Sequence, residues 1–153
     1  MKKKTILLLL LVIGITTGCS PKTGTMTCTM KTYPADGITI RSTYVATYKN
    51  EIVTKLKTVE KITSEDKNNL EVYQEKIDEL YSGYQGIKYY TNTTKIKGNT
   101  LTSTTTIQYN KVDTKKLIEA DSGNANVIKN GKVQINTLEK LYKQNGCNCK
   151  EKG

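Results

Sequence analysis

ITIRSTYVATYKNEIVTKLKTVEKI (residues 38–62) and TSEDKNNLEVYQEKIDELYSGY (residues 63–84) follow one another without a break and carry two different periods. In the first stretch Ile38, Ile40, Ser42, Tyr44, Ala46 and Tyr48 fall on one side of a strand. Thr39, Arg41, Thr43 and Thr47, with Val45 among them, fall on the other. That is the two-residue period of a half-buried strand. Lys49-Asn50 is a tight-turn candidate, and Glu51 to Ile62 then places Ile52, Leu56 and Ile62 opposite Lys55, Lys57 and Lys61. Thr58 and Glu60 soften the apolar side, and Val53 and Val59 join the lysines. Two such strands around a short polar turn predict a long hairpin. In the second stretch the period changes. Thr63-Ser64-Glu65-Asp66 reads as a helix start, a hydroxyl cap with acids in the first turn. Leu70, Tyr73, Ile77, Leu80 and Tyr81 then form one helical stripe, and Gly83 reads as its stop.

Outward from this unit, Met26, Cys28 and Met30 alternate with Thr25, Thr27 and Thr29, predicting a strand over 26–33 that ends in the turn Pro34-Ala35-Asp36-Gly37. Downstream, Ile87–Thr94 and Leu101–Val112 are rich in strand formers and join near Lys97-Gly98-Asn99. Asp113 caps a short helix ending at Ala120, and Asn130-Gly131 marks a turn within 127–135. Asn136 and Glu139 have the spacing of a capping box for a last helix carrying Leu138, Leu141 and Tyr142 and stopping at Gly146. Hairpins gathered around one long helix predict an α+β fold. It is an antiparallel sheet of about five hairpin-connected strands packed on that helix, with short C-terminal helices.

The N-terminus is a separate matter. Three lysines, Lys2 to Lys4, precede an apolar run from Ile6 to Ile15 broken only by Gly14. The run is too short to span a bilayer, which takes about twenty residues, and has the layout of a secretory leader. It ends in Ile15-Thr16-Thr17-Gly18-Cys19, which resembles a bacterial lipobox, with Thr16 standing where Leu is usual. Such a signal implies diacylglycerol on the Cys19 sulfur, cleavage before it, and an acylated (palmitate-type) membrane anchor facing the extracytoplasmic side. Residues 1–18 are then a lipoprotein signal peptide, 19–25 a polar tether and 26–153 one domain. Two or more acyl chains suffice for stable attachment.

The balance of 24 basic to 14 acidic residues gives a net charge of +10, which falls to +7 once Lys2, Lys3 and Lys4 leave with the leader. Arg41 is the single arginine, so a nucleic-acid reader is excluded as a class. The lysines are spread along the whole chain. They read as a solvated surface, with attraction to anionic lipid headgroups or to an anionic envelope polymer as the functional counterpart. There is no histidine, which excludes a Ser-His-Asp triad, a Cys-His pair and His-ligated zinc or haem.

Three cysteines remain beside Cys19. Cys28 lies on the first strand, and Cys147 and Cys149 follow the last helix. Export permits a disulfide from Cys28 to either of the other two, closing a loop of about 120 residues. The sharper reading is thiol exchange or soft-metal handling by Cys28, Cys147 and Cys149, but the pair follows a helix C-terminus, whose dipole does not favour thiolate, and has no CxxC spacing. No metal site or cofactor is indicated. Glu65, Asp66, Asp78, Glu79 and Asp36 read as solvated carboxylates. Tyrosine is the only aromatic residue type. Tyr84, Tyr89 and Tyr90, clustered after a glycine, are the candidates for an exposed binding patch. With no catalytic constellation, the expectation is a non-enzymatic binding or envelope-associated domain, with a protein or an anionic envelope polymer as partner besides membrane lipid.

Several segments together resemble the YehR-like bacterial lipoproteins: Gly37-Ile38-Thr39-Ile40 through Tyr44 to Tyr48, the helix over 63–84, and Tyr109-Asn110-Lys111-Val112-Asp113 leading into the short helix. With the leader the resemblance spans nearly the whole chain. It implies a small α+β lipoprotein of unknown function and carries no active residues over.

Overall fold

The computed structural model describes residues 22–152. The segment expected to be a leader, Cys19 and the expected tether up to Pro21 lie outside the described residues. The chain runs β1 (Thr23–Ala35), β2 (Ile38–Lys49), β3 (Ile52–Ser64), α1 (Lys67–Tyr81), β4 (Tyr90–Lys97) and β5 (Thr100–Ile107). It continues through α2 (Thr114–Ala120), the two-residue strands β6 (Ile128–Lys129) and β7 (Lys132–Val133), α3 (Ile135–Gln144) and β8 (Asn148–Lys152). Six strands form one antiparallel sheet in the order β4-β5-β3-β2-β1-β8. The fold is α+β as the alternation implies, with one strand more than expected. The extra strand is β8, whose sequence NCKEK has no apolar alternation to announce it. The 23–25 part of the tether belongs to β1, paired with both β2 and β8.

The β2–β3 hairpin turns at Asn50 and Glu51, both left-handed with φ of 49° and 66°. This pair of positive angles matches the twist of the flanking strands. The turn is held by the Asn50 N–H donating to the Lys22 carbonyl at 2.7 Å and by the Ile135 N–H donating to the Glu51 carbonyl at 2.8 Å. Just beyond it the register slips: Tyr48 faces Val53, but Thr47 faces Lys55, so Thr54 has no partner. One extra residue reverses the side on which everything before it points. Val53, which strict alternation puts with the lysines, is therefore 1% exposed in the core.

The helices cover one face of the sheet over two apolar clusters. One centres on Met26, Cys28, Val53, Leu117, Val133 and Leu138; the other on Ile38, Ile62, Leu70, Ile77 and Leu101 beneath α1. Among the described residues the six sheet strands, the three helices and both apolar clusters pack into one unit.

Four local expectations are corrected. The cap of α1 is the Asp66 carboxylate, which accepts from the Asn68 N–H at 2.9 Å, while Ser64 Oγ accepts from the Asp66 N–H. Leu80 lies on the helical stripe but is 65% exposed, because α1 ends one residue later and no element packs over that side. The helix passes into a 3-10 turn at Ser82–Tyr84, and the left-handed glycine is Gly86, not Gly83. At α3 no side chain caps the helix; Gln134 occupies that position, and Asn136 lies inside the first turn. Asp113, by contrast, caps α2 as its sequence implies.

Candidate functional site

Five tyrosines converge where the C-terminal end of α1 crosses β5 and the edge strand β4. Tyr81 ends the helix, Tyr84 ends the 3-10 turn, and Tyr90 opens β4. Tyr84 and Tyr90 stack with ring centroids 4.7 Å apart, and Tyr81 lies tilted 6.2 Å from the first and 6.5 Å from the second. The three rings form a wall shared by two cavities. One, of about 400 Å³, runs between α1 and the backbone of β4 and is lined by Asp78, Gln85 and Asn92 among others. The other, of about 240 Å³, extends inward to Tyr109, Tyr142, Asp121 and Asn124.

Each ring is positioned by identifiable contacts. The Tyr84 hydroxyl accepts from Asn124 Nδ2 at 2.8 Å and donates to Asp121 Oδ2 at 3.4 Å. Asn124 itself is pinned by donating to the Leu117 carbonyl, and Asp121 caps the 3-10 turn Ser122–Asn126 through the Gly123 N–H. The loop after α2 thus holds Tyr84 from below. Tyr90 differs: its hydroxyl oxygen is buried and makes no hydrogen bond. Burial pushes its pKa up, and the neighbouring Tyr81 and Tyr84 add to the shift. Burial, with Tyr84 nearby, takes Tyr109 up to about 12. Tyr142 is also raised by burial and stacks on Tyr44 with centroids 4.3 Å apart.

Beneath the tyrosines a polar row crosses the sheet and separates the two apolar clusters. Ser42 Oγ donates to Glu60 Oε1 at 3.2 Å, and Asn92 Nδ2 donates to Ser103 Oγ and Thr105 Oγ1 at 3.2 and 2.8 Å. Thr94 Oγ1 donates to Asp78 Oδ1 at 3.2 Å at the rim. Each of these groups has a partner, so the row tolerates burial. The two cavities are lined by Asp78 and Asp121 and by no lysine or arginine, in a chain with 24 basic residues. The cleft is a non-basic part of a basic protein.

The predicted exposed patch is therefore rearranged. Tyr84 is buried, 8% exposed, and works as a wall, not as a protruding ring. Tyr90 is half-buried beside it. Tyr89 is half-buried too, but its φ of 68° accompanies a different environment, with Lys88 Nζ and Lys111 Nζ over its ring at 5.0 and 5.5 Å. Tyr81, Asp121 and Asn124 were not singled out from sequence. Tyr81 reads as ordinary helix-stripe core, and a loop asparagine gives no local sign that it will reach a tyrosine forty residues earlier.

The disulfide cysteines lie toward the opposite edge of the sheet, on β1 and β8, and the Cys147 N–H donates to the Tyr142 carbonyl at 3.0 Å. Cys28 and Cys149 are register partners across β1 and β8 and form a disulfide with a sequence separation of 121. Cys147 is the free cysteine among the described residues; it is buried, and burial pushes its thiol up. That is the opposite of what an exchanging thiolate requires. Among the described residues no three Cys, Asp or Glu side chains gather to hold a metal ion, and no helix is long and apolar enough to cross a membrane. Asp66 and Asp113 are helix caps.

Fold and site together define a small α+β domain whose meandering antiparallel sheet, covered on one face, cradles a tyrosine-walled cleft. The chain belongs to the domain of unknown function DUF8824, whose family model matches residues 21–153. Two solved structures share the fold. The NMR structure of the YehR protein of E. coli is 20% identical, with a TM-score of 0.54 over 86% of this chain and 92% of that one. The NMR structure of a protein from Streptococcus pneumoniae TIGR4 is 19% identical, with a TM-score of 0.51 over 98% of this chain and 97% of that one. No curated protein sequence matches the chain.

Proposed function

We propose that this protein is a lipid-anchored, extracytoplasmic, non-catalytic binding domain that holds an uncharged or cationic small ligand against Tyr81, Tyr84 and Tyr90. The observation that carries the reading is the cleft itself, three tyrosine rings bounding two cavities with only carboxylates for charge. Tyrosine faces offer contact area to apolar and cationic groups, and their hydroxyls offer polar contacts. No nucleophile–base pair stands there; Asp78 and Asp121 already accept hydrogen bonds from Thr94 and Tyr84. The anchor rests on the Gly18-Cys19 junction after the apolar leader.

Two measurements test the reading. Palmitate labelling of the expressed chain beside Cys19→Ala tests the anchor: label on the parent and none on the variant supports it, and no label on either removes it. The cleft is tested by tyrosine emission, which is uncomplicated here because the chain has 10 tyrosines and no tryptophan. Tetramethylammonium and an uncharged methyl glycoside serve as probes. A saturable change with either, lost in Tyr81→Ala, supports the site. No saturable change with both refutes this ligand class.

A further inference from the structure

The sheet face turned away from the helices carries a second surface. Register places Lys31 opposite Arg41, Arg41 opposite Lys61, Lys61 opposite Thr102, and Thr102 opposite Lys95. This is one row across five adjacent strands with four cations and no acid. All four cations are exposed. The next row is Thr29, Thr43, Val59, Thr104 and Thr93, with Asn148 beyond Thr29 on β8. Lys57, Lys150 and Lys152 continue the positive field beyond it. The carboxylates that occur within the six sheet strands, Glu60 and Glu151, both have the helix-side parity: Glu60 bonds Ser42, and Glu151 pairs with Met26. The ion pair among the described residues, Lys143–Glu139, lies on α3. Like charges directly opposite one another in a sheet are unfavourable, so this row costs stability that an opposing anionic surface would recover.

We propose that this open face is a docking surface for an anionic bilayer. Charge complementarity selects phosphate-bearing headgroups: lysines and threonine hydroxyls, with Val45 and Val59 as its aliphatic members, suit the headgroup layer and not its interior. The chain outside the structure selects the membrane as the source. Cys19 precedes Thr23 by four residues, a reach of at most ~14 Å, and Thr23 begins β1, a strand of this same face. That clause rests on the anchoring reading; the charge argument does not.

The test uses residues 22–152, which contain the six-stranded sheet, its covering helices and both apolar clusters and lack Cys19, so its outcome is independent of acylation there. Co-sedimentation with phosphatidylglycerol-containing vesicles is compared with phosphatidylcholine vesicles. The face variant combines Lys31→Gln, Arg41→Gln, Lys61→Gln and Lys95→Gln. A control of equal charge combines Lys67→Gln, Lys76→Gln, Lys116→Gln and Lys140→Gln, all exposed on the helices. A basic residue at an anionic surface changes partitioning about 5-fold. The face variant is therefore expected to lose roughly a hundredfold or more, and the control to keep most of its binding. The face variant is also expected to melt no lower than the parent, because its substitutions relieve like-charge pairs. Equal loss in both variants means that net charge alone acts, and overturns the proposal. So does failure of the parent to bind phosphatidylglycerol vesicles, including the case in which it binds soluble poly(glycerol phosphate) instead.

Discussion

Reducing the Cys28–Cys149 bond should remove a large part of the stability of this domain. The link closes a loop of 121 residues. The chain-entropy model, −2.1 − 1.5R ln n, gives about 16 cal/mol/K for a loop of that length, or about 4.9 kcal/mol at 25 °C. Residual order in the unfolded chain lowers the figure, so a loss of about 2–5 kcal/mol is expected. The fold has further reason to depend on the link. β8 is a five-residue edge strand whose pairing is to β1 alone, and Cys149 contributes its apolar contact with the core. Urea unfolding of residues 22–152 with and without reductant measures the effect as a shift of midpoint at nearly constant slope. Cys147→Ser should keep the reductant sensitivity, and Cys149→Ser should abolish it. The reasoning is refuted if reduction leaves the midpoint unchanged, or if Cys147→Ser is the variant that loses the sensitivity.

Glu51→Gly should raise stability by about 1 kcal/mol, because a left-handed φ of 66° strains a side-chain-bearing residue and not glycine; thermal melts would show it. Tyr90→Phe should be neutral or stabilising by about 1–3 kcal/mol, since its buried hydroxyl makes no hydrogen bond; a drop in urea midpoint would contradict that. Stability should fall as pH rises between the ordinary tyrosine value of 10.0 and about 12, the value to which burial raises Tyr109. In that window the unfolded chain releases the Tyr109 proton and the folded chain keeps it. Tyr109's share of the loss is on the order of 2–3 kcal/mol, measured by urea midpoints across the range; Tyr109→Phe should lessen the loss by that amount, while Tyr90 and Tyr142, also raised by burial, keep the remainder.

The parts of the fold legible in the sequence are those whose signal is local. The alternation over 38–48 and the stripe from Leu70 to Tyr81 each declare a period within a dozen residues, and the structure contains both elements. Asp113 announces a cap because its partner, the Lys115 N–H, is two residues away. What sequence reading missed is set by distant partners. Thr54 becomes a bulge only through its pairing with β2, and that single slip carries Val53 from the lysine side into the core. Strand β8 exists because β1 offers an edge and Cys28 a sulfur. Of the cleft, Tyr84 and Tyr90 are visible as a cluster after glycine, but Tyr84 is held by Asn124 and Asp121 from beyond the far end of α2, nearly forty residues away. The lysines show the same limit in reverse. Scattered along the sequence they look like generic solubility, and antiparallel register gathers Lys31, Arg41, Lys61 and Lys95 into one line.

The position of β1 has a mechanical consequence. The chain enters the domain at Thr23 on a strand flanked by β2 and β8, not on an edge. A pull applied at that end and directed along the strand loads both hydrogen-bonded ladders in shear, many bonds at once, where an edge strand pulled sideways would peel bond by bond. The Cys28–Cys149 link lies six residues into the domain from Lys22 and passes the load covalently to the C-terminal strand. Tension on the leading end is thus resisted by three strands together.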